Sequence, residues 1–183
     1  MEAQQRFSLA KHEGPYEHWP VKTALLCDGV PTGTQIEGYV IEAQYRCAHG
    51  HLLITSFDCP FEEANSFTLL DDRFQVLAEA KLGVMYDSFL LNNHWPLDGH
   101  TLHLHYGMRC FYRLHVDPLG GLLRRRHRLR LTRDDRAWPD DPRAAASVHA
   151  LENRLAAVRA GLSPIDALPL SELTDGSGGV PRS

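Results

Sequence analysis

The chain has 183 residues and a formal net charge of −4, with 43% hydrophobic and 23% charged residues, proportions ordinary for a soluble globular protein. That length is enough for one domain with its own core and an appendage, without metal or disulfide support. No apolar stretch nears the roughly 18 residues of a membrane helix. The N-terminus, Met-Glu-Ala-Gln-Gln-Arg, lacks the apolar core of a secretory signal, so a cytoplasmic protein is expected.

Residues 1–19 are polar, with Gly14-Pro15 and Trp19-Pro20 as punctuation, and read as an irregular N-terminal segment. From residue 20 the pattern is that of strands. A weak strand is expected at 23–28. Residues 35–47 alternate, with Tyr39, Ile41, Ala43, Tyr45 and Cys47 on one face and Glu42, Gln44 and Arg46 on the other. Ala48-His49-Gly50 supplies a hairpin turn, and 51–57 return until Pro60 breaks the ladder at Asp58-Cys59-Pro60. Residues 67–70 and 74–82 form a second hairpin, with Val76, Ala78, Ala80 and Leu82 facing in. Residues 88–91 read as a short strand, 92–96 as a loop, and Asp98-Gly99 as a turn into 101–106. Residues 109–116 follow, then a turn at 117–121 and a last strand over 122–132.

About nine strands with short connections, and no helix of ten residues between them, predict a mainly β chain. An antiparallel β-sandwich-like domain or partly open barrel is favoured. One helix is expected at 142–161, with Asp141 as its N-cap and Pro142 at its first position. Val148, Leu151, Leu155, Val158 and Leu162 make its apolar stripe. The organisation is thus 1–19 irregular, 20–162 one β-rich domain closed by the helix, and 163–183 a flexible tail.

Chemistry is sparse. Cys27, Cys47, Cys59 and Cys110 form no CxxC pair, which removes zinc-ribbon and thioredoxin readings and leaves free thiols. No Gly-x-Ser-x-Gly, HExxH or phosphate-cradling Gly motif occurs, and no cofactor is read. Cys59, beside Asp58 and Pro60, is the best thiol candidate, with no neighbouring base visible. Glu62 and Glu63 are adjacent and would point apart on a strand. Among eleven histidines, His103 and His105 share one strand face. They could hold zinc if His49, His51 or Cys47 supplied a third ligand. The expectation is instead a solvated polar face and no metal.

Residues 124–136 carry seven arginines against two aspartates, in a chain that is otherwise acidic. Arg124, Arg126, Arg128 and Arg130 share one strand parity, with Leu123, Leu129 and Leu131 on the other. Guanidinium forks in such a row suit a carboxylate or phosphate partner. Protection of a sheet edge and pairing with Glu37, Glu42 or Glu79 are the competing readings. Tyr16, Trp19, Trp95 and Trp138 sit beside prolines, where rings either anchor an interface or cap the core.

The functional expectation is a non-catalytic, cytosolic binding protein. Its arginine-rich, lysine-poor composition suggests a GC-rich bacterial genome. An inhibitor or immunity protein that neutralises a toxin or enzyme would fit, its acidic protein partner bound at Arg124, Arg126, Arg128 and Arg130. The alternatives are a metal-dependent or hydrolytic enzyme using His103 and His105, and a nucleic-acid binder using residues 124–130. An acidic surface around the arginines disfavours the latter.

Overall fold

A computed structural model describes residues 1–57, 64–83, 90–119 and 126–161. The chain is mainly β, as its patterning predicts. Its strands are β1 (Glu2–Ala3), β2 (Phe7–Leu9), β3 (Lys22–Cys27), β4 (Val30–Glu37), β5 (Val40–Cys47), β6 (Gly50–Ser56), β7 (Ala64–Leu70), β8 (Val76–Gly83), β9 (Leu91–Pro96), β10 (Thr101–Tyr106), β11 (Cys110–Leu119) and β12 (Arg126–Arg133). A short helix α1 (Ala137–Asp140) leads into α2 (Pro142–Arg159), and a 3-10 turn spans Tyr16–His18. No described helix is long and apolar enough to cross a membrane.

The strands form three antiparallel sheets, ordered β1-β5-β6-β7-β8, β12-β11-β10-β9 and β2-β3-β4. Packing arranges them as layers. Tyr45, Leu52, Ile54, Phe67 and Leu69 of the first sheet meet Leu102, Leu104, Tyr106, Leu114 and Val116 of the second. Leu53 and Leu70 point the other way, to Phe7, Leu25, Cys27 and Ile36 of the third sheet. Helix α2 covers the outer face of the second sheet, where Ala144 and Val148 pack on Trp95 and Phe111. The first sheet is therefore the middle layer, buried on both faces at β6 and β7. Such strands read as near-continuous runs, as Leu52-Leu53-Ile54 does.

Several local expectations change because of this layering. The segment 1–19 contributes β1 and β2, since Phe7 is a core residue of the third sheet. The alternation over 35–47 is two strands in two sheets, parted at Gly38. Gly38 has φ 102°, and a Cβ there would lie 2.8 Å from the Ser56 carbonyl oxygen. A register shift between Ile41 and Ala43 then turns Ile41 toward the third-sheet core while Ala43, Tyr45 and Cys47 face the second sheet. A second shift, opposite Leu69 and Leu70, exposes Val76 and turns Leu77 inward.

Residues 92–96 are strand, not loop: β9 pairs with β10, and Pro96 is tolerated because β9 is an edge. Asp117, Pro118 and Leu119 do not turn but extend β11 against β12. The predicted turn residues Gly120 and Gly121, together with Arg124, lie outside the described residues. So do Asp58, Cys59, Pro60, Glu62, Glu63 and the tail at 163–183.

Helix α2 starts as predicted, the Asp141 carboxylate accepting from the Arg143 N–H at 2.8 Å. Its stripe is buried only as far as Leu151; Leu155 is 38% and Val158 45% exposed.

Gly50 is the tightest backbone approach among the described glycines, with φ 134° and an added Cβ only 1.9 Å from the Leu70 carbonyl oxygen. Gly50→Ala is expected to destabilise the fold by about 3 kcal/mol or more. Gly99→Ala, with no atom within 4 Å of the new Cβ, should stay within about 0.5 kcal/mol. Urea midpoints of the two variants check both values.

Candidate functional site

Strand alternation sends Leu102, Leu104 and Tyr106 into the core and Thr101, His103 and His105 to the opposite face of β10. Register then sets His105 opposite Phe111, His103 opposite Arg113, His115 opposite Arg130 and Asp117 opposite Arg128. The histidine pair and the arginine strand, separate in sequence, thus belong to one face of the second sheet.

That face is not a solvated one at the histidines: His103 is 1% and His105 0% exposed. The helical layer closes over them. His105 stacks on Phe111 at 4.5 Å and 13°. Its Nε2 lies 3.3 Å from the Met108 carbonyl and its Nδ1 2.7 Å from the Ser147 hydroxyl. A carbonyl only accepts, so Nε2 carries the proton and Nδ1 accepts from Ser147. His103 lies between two carboxylates, 3.2 Å from Asp134 Oδ2 and 3.4 Å from Asp141 Oδ2, at angles poor for hydrogen bonding. Asp134 is also gripped by Arg113 Nε at 2.6 Å. Burial pushes the His103 pKa down against the opposing pull of both aspartates.

The two imidazoles address different partners and do not converge. The third ligands weighed for them lie elsewhere: Cys47 in the core between the sheets, His51 edge-on to Phe7 at 5.0 Å. Among the described residues no group of three or more His, Cys, Asp or Glu side chains is arranged to hold a metal ion.

The arginine row is uneven. Arg130 Nε donates to Asp117 Oδ2 at 3.0 Å, and Arg133 Nε lies 2.6 Å from Asp135. Arg128 is exposed, and the Arg126 backbone pairs with Leu119. The internal partner is Asp117 instead of the glutamates weighed for that role. Glu37 binds Lys81 and Ser66, Glu42 accepts from Ser56, and Glu79 pairs with Lys22. Strand β12 ends its sheet but runs alongside β8.

A second constellation gathers five rings outside the three cores. Tyr39 is its hub, meeting Trp19 at 5.2 Å, Tyr16 at 5.6 Å, Phe57 at 5.1 Å and His12 at 5.3 Å, all edge-to-face at 72–87°. The loop is tied down: Trp19 Nε1 donates to the Gly14 carbonyl at 3.1 Å. The Thr23 hydroxyl donates to the Gly38 carbonyl, so it accepts from His12 Nε2 at 2.8 Å. Tyr16 remains 50% exposed. Tyr16 and Trp19 were visible as Pro-flanked aromatics. Tyr39 was not, because its parity with Ala43 and Tyr45 assigned it to the core.

Comparison with known proteins matches no family model, no curated protein and no solved structure.

Burial lowers the pKa of His51, His94, His103, His105 and His115, that of His94 to about 4. The unfolded chain therefore binds more protons than the native one below the ordinary imidazole value near 6.5. Native stability is complete above that value and is lost as pH falls toward the folded values. Between pH 7 and 5, above the carboxylate range, His94 alone should remove about 2 kcal/mol. Urea midpoints measured across that interval should fall steadily. A flat profile would show that these rings are not held neutral.

Proposed function

We propose that this protein is a non-catalytic binding module whose partner is another protein, anchored at the aromatic cluster around Tyr39. The single observation behind this reading is five interlocked rings that no core uses, one of them half exposed. Tyr and Trp, with Arg, are enriched among the few residues that dominate binding energy at protein interfaces. Rings already fixed edge-to-face lose little side-chain entropy on binding. An inhibitor or immunity protein, which acts by covering a partner's surface, is the kind of protein this reading fits.

A second reading rests on Arg128, exposed on the outer face of the second sheet and free of any ion pair among the described residues. It supports an acidic protein partner along β12, with Arg124, Arg126 and Arg130 beside it in sequence. Asp117 and Asp135 neutralise Arg130 and Arg133, which leaves less free charge than phosphate-backbone binding would use. Burial of His103 and His105 removes them from solvent and so from substrate, which tells against the enzyme alternative.

The test places a photo-crosslinking amino acid at position 16, at position 128 or, as control, at position 99, in protein produced in its native host. The primary reading predicts a discrete protein adduct from position 16, lost when Trp19→Ala is added. An adduct from position 128 alone would replace it with the Arg128 reading. Equal yields from all three positions would overturn both.

A further inference from the structure

We propose that the second half of α2 pairs, antiparallel, with the same segment of a second copy of this chain. The first half of the helix is fully used: Ala144, Ser147, Val148 and Leu151 are buried on the second sheet. The same azimuth continues through Leu155 and Val158, four and seven residues beyond Leu151, which are 38% and 45% exposed.

Charge decides which partner fits. Glu152 and Arg159 lie on the same side of this stripe, one near each end. They are seven residues apart, about 10 Å along the axis, too far to pair within one helix. A two-fold axis between Leu155 and Ala156 brings residue 152 of one copy level with residue 159 of the other. Each carboxylate then faces a guanidinium, twice over, while the exposed Leu155 of each copy meets Leu155 of its mate at the axis. The segment is complementary to its own inverted image, which is what an isologous interface requires. Arg109 at 3.9 Å and His149 at 3.4 Å already steer the Glu152 carboxylate.

Sedimentation equilibrium of the full-length chain over a range of concentrations tests this, with circular dichroism confirming the fold of each variant. The wild type should associate reversibly to a dimer, and Leu155→Asp should abolish association. Glu152→Arg or Arg159→Glu alone should weaken it about tenfold or more, because symmetry makes each change act at two contacts. The double variant Glu152→Arg/Arg159→Glu should recover wild-type affinity within about threefold. A wild type that stays monomeric, as it would if residues 162–183 occupy this stripe, overturns the proposal. So does a double variant no tighter than the single ones.

Discussion

A sheet buried on both faces has no polar side, and the rest of this molecule follows from giving the first sheet two. In β6, Leu52 and Ile54 fill the space toward the second sheet while Leu53 fills that toward the third. Polar side chains caught in the inner layer must find partners there, because a buried unpaired hydroxyl or imidazole is costly. Thr55 donates to the Glu37 carbonyl, Ser66 to the Glu37 carboxylate and Thr23 to the Gly38 carbonyl. Arg46 donates to His51 Nε2 at 3.1 Å, which fixes that ring as the neutral Nδ1–H tautomer facing Gln4. The bonds from Thr55 and Ser66 to Glu37 tie the third sheet to the first beside the point where the chain passes between them.

The same passage creates the candidate site. Strand β4 belongs to the third sheet and β5 to the first, so the chain must change layers at Gly38. No side chain fits against Ser56 and Thr55 there, and the next residue, Tyr39, is set outside all three cores. The N-terminal loop brings His12, Tyr16 and Trp19 to that ring, and the end of β6 leads to Phe57. The ring cluster is thus a by-product of layer crossing. At the other end of the stack the histidines of β10 do structural work: His103 sits between Asp134, just after β12, and Asp141, the cap of α2. The helix starts there on the Asp141 cap, whose carboxylate accepts from the Arg143 N–H.

Alternation and turn chemistry carried the β class, the hairpin at Ala48-His49, the turn at Asp98 and the cap at Asp141, because each depends on neighbours in sequence. The number of layers did not show, since it depends on which polar faces find a cover. His103 and His105 have the pattern of a half-exposed strand, and only the helix 40 residues later makes them core. Single-residue register shifts were equally silent: Ile41 and Val76 fit their strand parity and yet lie on the other side of it. Of the candidate site, the Pro-flanked Tyr16 and Trp19 were legible, whereas Tyr39 joined them only through the break at Gly38. The arginine parity was correct for Arg128 and Arg130 on the outer face, but the pairing of Arg130 with Asp117 needed the extension of β11 through Pro118.

The double burial of the first sheet can be measured at two consecutive residues. Leu52 and Leu53 point to opposite faces of β6, and both are fully buried. Leu52→Ala and Leu53→Ala should each lower unfolding free energy by about 2–5 kcal/mol, as truncation in a packed core does. If Leu53→Ala instead unfolds at the wild-type denaturant midpoint while Leu52→Ala does not, the third sheet does not cover the first. The layered account would then be wrong.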